Sequence, residues 1–199
     1  MKTPGIRSAR IFRVLGLDPA VAGATGYGVV EGDGRSFRML RYGAVRPAAN
    51  SRSAASAHLC RVHALVKELI EEFAPTGIAM ESVFTALNRG TALRLAEMRG
   101  VVLLAAAQNG LEVYSYSPRE IKCSVTGYGN AGKEQVQHMI RALLHLPETP
   151  EPPDAADALA VALCHILVAQ AQRQMAGGFA RGAAGARHRE AGSRIPFST

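Results

Sequence analysis

The 199 residues of this chain suit one domain, whose hydrophobic core is large enough to fold without disulfides or structural metals. They carry a formal net charge of +7. Three cysteines, an odd number in no CxxC pattern, argue against a disulfide framework. We expect no apolar run of the about 20 residues that span a bilayer, and no signal peptide at the start. The composition therefore predicts a cytoplasmic protein without membrane contact, and its basicity favours nucleic acid as partner.

The first part of the chain predicts a three-stranded antiparallel meander. Residues 11–17 form a short apolar run typical of a buried strand, which ends at Asp18 because the following proline cannot continue the ladder. Further strands are predicted over about 27–31 and 37–45. The Glu-Gly-Asp-Gly sequence at 31–34 indicates the hairpin between them.

The rest of the chain alternates between predicted helices and strands. In chain order these are a helix ending at Phe73, a strand over 77–81, a loop over 82–90, a helix over about 91–108, a strand over 111–115, short helices over 119–125 and 133–144, and a helix from Asp154 to near Gln170. Three antiparallel strands followed by this alternation predict an α/β fold in which helices flank a mixed five-stranded sheet.

The composition changes at both ends of the chain. Residues 11–170 are predicted to form the one folded domain. Residues 1–10 are predicted to be a flexible basic arm. Residues 171–199, rich in Gly, Ala and Arg, are predicted to be a disordered tail.

Four acidic residues fall where predicted elements begin or end. Asp18 and Glu81 stand at the carboxyl ends of the first and fourth strands, which bring them to one sheet edge if those strands are parallel neighbours. Asp154 and Asp157 project together from the first turn of the last helix, because positions three apart share a face. Each residue alone could be a turn residue, a strand end or a helix cap. The hypothesis of a common site therefore depends on their joint placement.

Four clustered carboxylates repel one another unless protons or cations neutralise them. All-oxygen ligands suit magnesium or manganese, which keep coordination positions for water and for a substrate phosphate. Two such ions about 4 Å apart can activate water and stabilise the leaving oxygen in phosphodiester hydrolysis. The pattern therefore predicts a site for magnesium or manganese, with room for two such ions.

Eight short sequences, in unbroken order over about residues 12–168, resemble those of one family. They are LGLDP at 15–19, TGYGV at 25–29, ESVF at 81–84, ALRLAEMRG at 92–100, PREIK at 118–122, GYG at 127–129, KEQVQHM at 133–139 and DAADALA at 154–160. The chain thus resembles the RuvC-type crossover (Holliday) junction endodeoxyribonucleases of the RNase H-like superfamily. The resemblance implies an RNase H-like fold for the mixed sheet.

The resemblance also implies an activity. It is that of a homodimeric endonuclease which resolves four-way DNA junctions by paired symmetric nicks in recombination and repair. Asp18, Glu81, Asp154 and Asp157 match the family's metal-binding positions, with Asp18 between the two metals. A branch-migration helicase complex of the RuvA and RuvB type is the implied partner.

Five further residues are implied as DNA contacts. Phe84 matches an aromatic residue that stacks on bases near the opened crossover. Lys122 and Lys133 match basic positions that contact the phosphate backbone, and Arg89 and Arg94 are additional candidates.

Two residues depart from the family pattern. Ala20 replaces a glycine in a loop that is one residue longer than usual, and Glu97 replaces a glutamine. Neither departure removes a metal ligand, although Ala resists backbone conformations that Gly tolerates. Three alternatives stay open: an RNase H-like nuclease acting on structured RNA, a protein that binds junctions without cutting, and an actin-like phosphotransferase. The chain is too short for the two-domain cleft of the last.

Overall fold

A single five-stranded sheet, in the order β3-β2-β1-β4-β5, organises the protein. The computed structural model describes residues 11–19, 23–47, 54–82 and 89–190, with side chains up to residue 176. The strands are β1 Phe12–Asp18, β2 Thr25–Gly32, β3 Phe37–Val45, β4 Gly77–Glu81 and β5 Val113–Tyr116. The helices are α1 Ala54–Phe73, α2 Arg89–Gln108, α3 Pro118–Thr126, α4 Lys133–Leu143 and α5 Pro153–Glu190.

Strand β1 lies at the centre of the sheet and has a different kind of partner on each side. It pairs antiparallel with β2, where Asp18 lies opposite Gly26, and parallel with β4, where Leu17 lies opposite Met80. The prediction that the first and fourth strands are parallel neighbours is therefore confirmed. Asp18 and Glu81, at the carboxyl ends of these strands, emerge at the same edge of the sheet.

The two faces of the sheet bury separate hydrophobic clusters, because successive side chains of a strand point to opposite faces. Val14 packs on one face with Leu159 and Leu163 of α5. Leu15 and Leu17 pack on the other face with residues of α1 and α2. Helix α5 is consequently the core helix of its face.

Glycines allow α5 to lie directly on the sheet. A Cβ atom at Gly16 would come within 2.1 Å of the Ala158 carbonyl oxygen, and one at Gly26 within 1.9 Å of the Asp154 carbonyl oxygen. Real Cβ atoms essentially never make such contacts, so any larger residue at these positions would displace the helix. The second contact brings the first turn of α5 against the β2 residue that is paired with Asp18.

Helix α5 differs from its prediction in length and in hydropathy. It runs to Glu190 rather than to near Gln170, and no proline between residues 171 and 190 interrupts it. Residues 171–190, assigned to a disordered tail from composition, are therefore helical in their backbone. The predicted arm over 1–10 and the end of the tail, 191–199, lie outside the described residues.

The same helix overturns the prediction that no apolar segment is long enough to cross a membrane. Its part Pro153–Ala176 is long and apolar enough by length and composition. However, 61% of its apolar stretch is buried inside the protein, where Leu159, Leu163 and Ile166 pack in the core. A core helix has this composition because it buries apolar side chains on several sides.

Candidate active site

The four acidic residues singled out in the sequence lie around one end of the sheet. Asp18 ends β1 and Glu81 ends β4, and Asp154 and Asp157 belong to the first turns of α5. Glu81 and Asp157 line one cleft of about 280 Å³. The other residues lining this cleft are Pro118, Ile121, Lys122, Lys133, Val136 and Ala160.

Burial and mutual repulsion perturb the acidic groups. The pKa of Asp18 is raised from its ordinary value of 3.8 to about 7, first by burial and then by repulsion from Asp157, Glu81 and Asp154 in decreasing order. Lys133 opposes this rise. The pKa of Glu81 is also raised, first by burial and then by Asp157, and Lys122 opposes this. Asp18 thus interacts with all three other carboxylates.

Two lysines provide positive charge beside these acids. The Lys133 Nζ atom lies 3.1 Å from Oδ2 of Asp157, and the side chains are 58% and 35% exposed. Lys133 begins α4 directly after the Gly132 cap. Lys122 reaches the cleft from α3, whose start is fixed by a capping box between Ser117 and Glu120. The short helices α3 and α4 thus carry the cationic wall of the cleft.

The carboxylates are electrostatic neighbours, but they do not form a closed coordination shell. Over the ranges 11–19, 23–47, 54–82 and 89–190, no three His, Cys, Asp or Glu side chains lie together in a geometry that could hold a metal ion. The chemistry of the donors nevertheless fits a divalent cation, because three further carboxylates of like charge lie near the partly buried Asp18.

The predicted DNA contacts have different outcomes. Lys122 and Lys133 line the cleft. Arg89 and Arg94 are exposed on α2, outside the residues that line it. Phe84 and the substituted Ala20 lie outside the described residues, so the roles assigned to them stay predictions.

Sequence reasoning missed how the site is assembled. The glycines at 16, 26 and 28 of β1 and β2 all face α5, where each leaves too little space for a Cβ atom. Their alternation in TGYG at 25–28 could have indicated a strand face closely covered by a helix. The apolar wall formed by Pro118, Ile121 and Val136 had no comparable signal, because it depends on contacts distant in sequence.

A mixed sheet of this order, with acidic residues on two central parallel strands and on the helix crossing them, defines the RNase H-like class of metal-dependent nucleases. The family model described as "Crossover junction endodeoxyribonuclease RuvC" matches residues 14–165. This chain belongs to that RuvC family.

Curated relatives and a solved structure agree with the assignment. The crossover junction endodeoxyribonuclease RuvC of Heliobacterium modesticaldum is 46% identical over 151 residues, which cover 76% of this chain and 91% of the relative. That of Moorella thermoacetica is 45% identical over 167 residues, covering 82% and 98%. The structure of T. thermophilus RuvC in complex with Holliday junction substrate is similar with a TM-score of 0.75 and 35% identity, covering 81% of this chain and 96% of that one.

Proposed function

We propose that this chain is a crossover junction endodeoxyribonuclease that resolves four-way DNA junctions by paired symmetric nicks in recombination and repair. The observation that carries the proposal is the partly buried position of Asp18 beside three further carboxylates, in a member of the RuvC family. The similar T. thermophilus protein, solved with Holliday junction substrate, supports a four-way junction as the substrate. The curated names support DNA rather than RNA.

Asp18, Glu81, Asp154 and Asp157 are the proposed ligands of two Mg²⁺ ions, for which Mn²⁺ can substitute. A central role for Asp18 is supported by its burial and by its interaction with each of the other three acids. When bound, such ions supply an activated water and stabilise the leaving oxygen of a phosphodiester. The chain's own contribution is to hold four oxygen donors at one edge of a rigid sheet.

Lys122 and Lys133 are the proposed phosphate contacts. Both line the same cleft as Glu81 and Asp157, so a scissile phosphate held at the acids lies within reach of their ammonium groups. Lys133 is more than half exposed, and its partner Asp157 is also partly open to solvent. Once cations neutralise Asp157, Lys133 is free to exchange that carboxylate for a phosphate oxygen. Phe84 is the proposed base-stacking residue, and Arg89 and Arg94 are the proposed outer contacts.

The outer face of α2 supports a homodimer. Leu93 and Leu104 are 65% and 54% exposed. They share one helix face with Gly100, where an added Cβ atom would have no neighbour within 4 Å. The opposite face of α2 is buried in the core. Exposed apolar side chains at helical spacing indicate a protein contact, and a two-fold dimer covers both copies at once. Each subunit then supplies one site for one of the paired nicks.

Two parts of the proposal rest on family membership alone. A branch-migration helicase complex of the RuvA and RuvB type is the proposed partner, since it acts on the same DNA structure. The cytoplasm is the proposed location, where such a substrate is found in a bacterial cell.

The test is cleavage of a labelled synthetic four-way junction in magnesium, beside a linear duplex and an RNA junction of the same sequence. Paired nicks in the DNA junction alone support the proposal. Preferential cutting of the RNA junction overturns it in favour of the RNA-directed nuclease. Tight junction binding without nicks, in manganese as well, overturns the enzyme assignment in favour of a binding protein.

A further inference from the structure

A second hollow lies beside the acidic cleft, on the opposite face of α4. Lys133 and Val136 of that helix line the acidic cleft, whereas Gln135 and His138 line the hollow, which encloses about 430 Å³. These two pairs of residues project from opposite sides of a helix that has 3.6 residues per turn. None of the four acids is among the described residues that line the hollow. The hollow is therefore distinct from the acidic cleft.

Tyr128 forms an aromatic wall of this hollow and is 59% exposed. Its backbone is fixed, because the Tyr128 N–H donates to Oγ1 of Thr126 at 3.1 Å and its carbonyl oxygen accepts from the Ala131 N–H at 3.1 Å. Gly127, which caps α3 in the left-handed conformation with a φ of 77°, sets the direction of this turn. A single exposed aromatic residue is common on protein surfaces, so its significance depends on what lies around it.

The turn that carries Tyr128 lies between the two lysines of the acidic cleft. The Thr126 hydroxyl donates to the Lys122 carbonyl oxygen at 2.8 Å, and Lys133 begins α4 shortly after the turn. Both lysines line the acidic cleft. A DNA strand whose phosphate is bound there has to cross about 10 Å, the width of a helix, to reach the hollow. At about 3.4 Å per nucleotide, this separation corresponds to roughly three nucleotides.

The lining of the hollow suits a flat, uncharged ligand. Met139 adds apolar surface to the aromatic wall, and the Glu134 carboxylate repels a phosphate. Gln135 Oε1 accepts from the Gly132 N–H at 2.9 Å, which leaves the amide nitrogen of Gln135 as a donor. The exposed His138 ring adds a nitrogen donor and a nitrogen acceptor. An aromatic face with hydrogen-bonding groups beside it matches a nucleobase.

We propose that Tyr128 stacks on an unpaired base of the strand being cut, roughly three nucleotides from the scissile phosphate, and that the hollow receives this base. Stacking tolerates any base, because every base has a π face, whereas amide and imidazole groups add a preference for particular base edges. The inference rests on the proposed function in taking a four-way junction as the substrate, since its strands can separate at the crossover. It is separate from the stacking proposed for Phe84, which follows β4 in the chain.

The test measures the affinity of the full chain for a four-way junction without divalent metal. Tyr128→Ala removes the ring, and Tyr128→Trp keeps an aromatic face. Met175→Ala, which changes a residue on α5 that is 67% exposed, is the matched control. Each protein is also tested on junctions in which one nucleotide is abasic, at each position up to about five nucleotides from the crossover. Thermal melting checks that every variant is folded.

We expect Tyr128→Ala to bind the intact junction about 5- to 100-fold more weakly than wild type, because the stacking of one base is lost. Tyr128→Trp and Met175→Ala should bind like wild type. At one or two positions, an abasic nucleotide should reduce the affinity of wild type by a similar factor without reducing that of Tyr128→Ala any further. An effect of the missing base on the DNA itself is common to both proteins and cancels from this comparison.

Three results would overturn the inference. An unchanged affinity of Tyr128→Ala shows that the ring does not contact the DNA. The same loss in Tyr128→Trp shows that stacking is not the cause. A loss in Tyr128→Ala that persists at every abasic position places the contact on the sugar-phosphate backbone. If wild type binds the junction but does not nick it in magnesium, the proposed function fails, while these affinities still decide the role of Tyr128. If wild type nicks and the affinities are unchanged, only the inference about Tyr128 fails.

Discussion

The two ends of helix α5 have opposite chemistry. Its first turns carry Asp154 and Asp157 into a cluster of like charges around the partly buried Asp18. Its far part carries Arg173, whose guanidinium lies over the Phe12 ring at the start of β1. Asp154 in the first turn also complements the helix macrodipole, which favours acids at the amino end.

The difference separates two requirements that conflict in one place. A site that concentrates carboxylates to hold cations repels DNA until the cations are bound. Positive charge at a distance can attract the same DNA without neutralising those carboxylates. The acidic end therefore has to bind cations before a DNA phosphate can approach it.

The largest effect is expected at the acidic end. Replacing Glu81 by Gln removes one oxygen charge from the cleft while keeping its size, so nicking of a junction should fall by about 10³-fold or more in magnesium. Junction affinity measured without metal should stay within a few-fold of wild type. Glu71→Gln, at an exposed position on α1, is the matched control and should nick normally. A Glu81→Gln protein as active as its control would remove Glu81 from the metal site.

The next largest effect is expected at the proposed dimer interface, because the second subunit supplies the second active site. Leu104→Glu puts a charge in the exposed apolar face of α2, so the dimer should dissociate and paired nicks should give way to single, slower nicks. Sedimentation and the ratio of paired to single nicks measure this. Lys67→Glu on α1 is the control for the added acid. A variant that stays dimeric would mean that another surface forms the interface.

Lys133 tests whether local positive charge also matters at the acidic end. Lys133→Gln removes the ammonium group 3.1 Å from Asp157, so nicking should fall by about 10- to 100-fold. The salt slope of junction binding should become shallower by only about 1, since a single phosphate contact is lost. Lys67→Gln should change neither quantity. A slope change of about 2 or more would contradict the assignment of one phosphate contact to Lys133.

A smaller effect is expected on metal-free stability. Because the pKa of Asp18 is raised to about 7 in the folded protein from an ordinary value of 3.8, its contribution is full below pH 4 and is lost as the pH rises through 7. Between pH 5 and pH 8 the free energy of unfolding should fall by about 1–3 kcal/mol. Denaturant unfolding in chelator should show this loss, and magnesium at pH 8 should reverse it. The same loss in Asp18→Asn would assign it to other groups.

Much of the sheet was predictable because its signals are local. The bounds 37–45 and 77–81 agree with β3 and β4, since glycine and proline residues mark the ends of alternating or apolar runs. The four acids could be assembled from the sequence because a carboxylate at a strand end or in a helix's first turn has a predictable position. That placement needed only the parallel pairing of β1 with β4.

The close approach of α5 to the sheet, the Lys133–Asp157 contact and the end of α5 could not be predicted. The first two depend on packing, and the third on the absence of a residue that ends a helix. No periodicity reveals that α5 approaches Gly16 closely enough to exclude a Cβ atom, or that Lys133 lies against Asp157, 24 residues away. The end of α5 was predicted near Gln170 because composition changes there, but the following residues have no proline to end a helix. The change in composition therefore did not locate the helix end.

The central claim is that the acidic end performs the chemistry without being needed for attachment to DNA. Its most direct test measures, in the same reactions, the bound fraction and the nicking rate of wild type and Asp18→Asn on a four-way junction in magnesium. We predict that Asp18→Asn binds the junction as wild type does and nicks it at least about 10³-fold more slowly. Nicking by Asp18→Asn at the wild-type rate would contradict the claim.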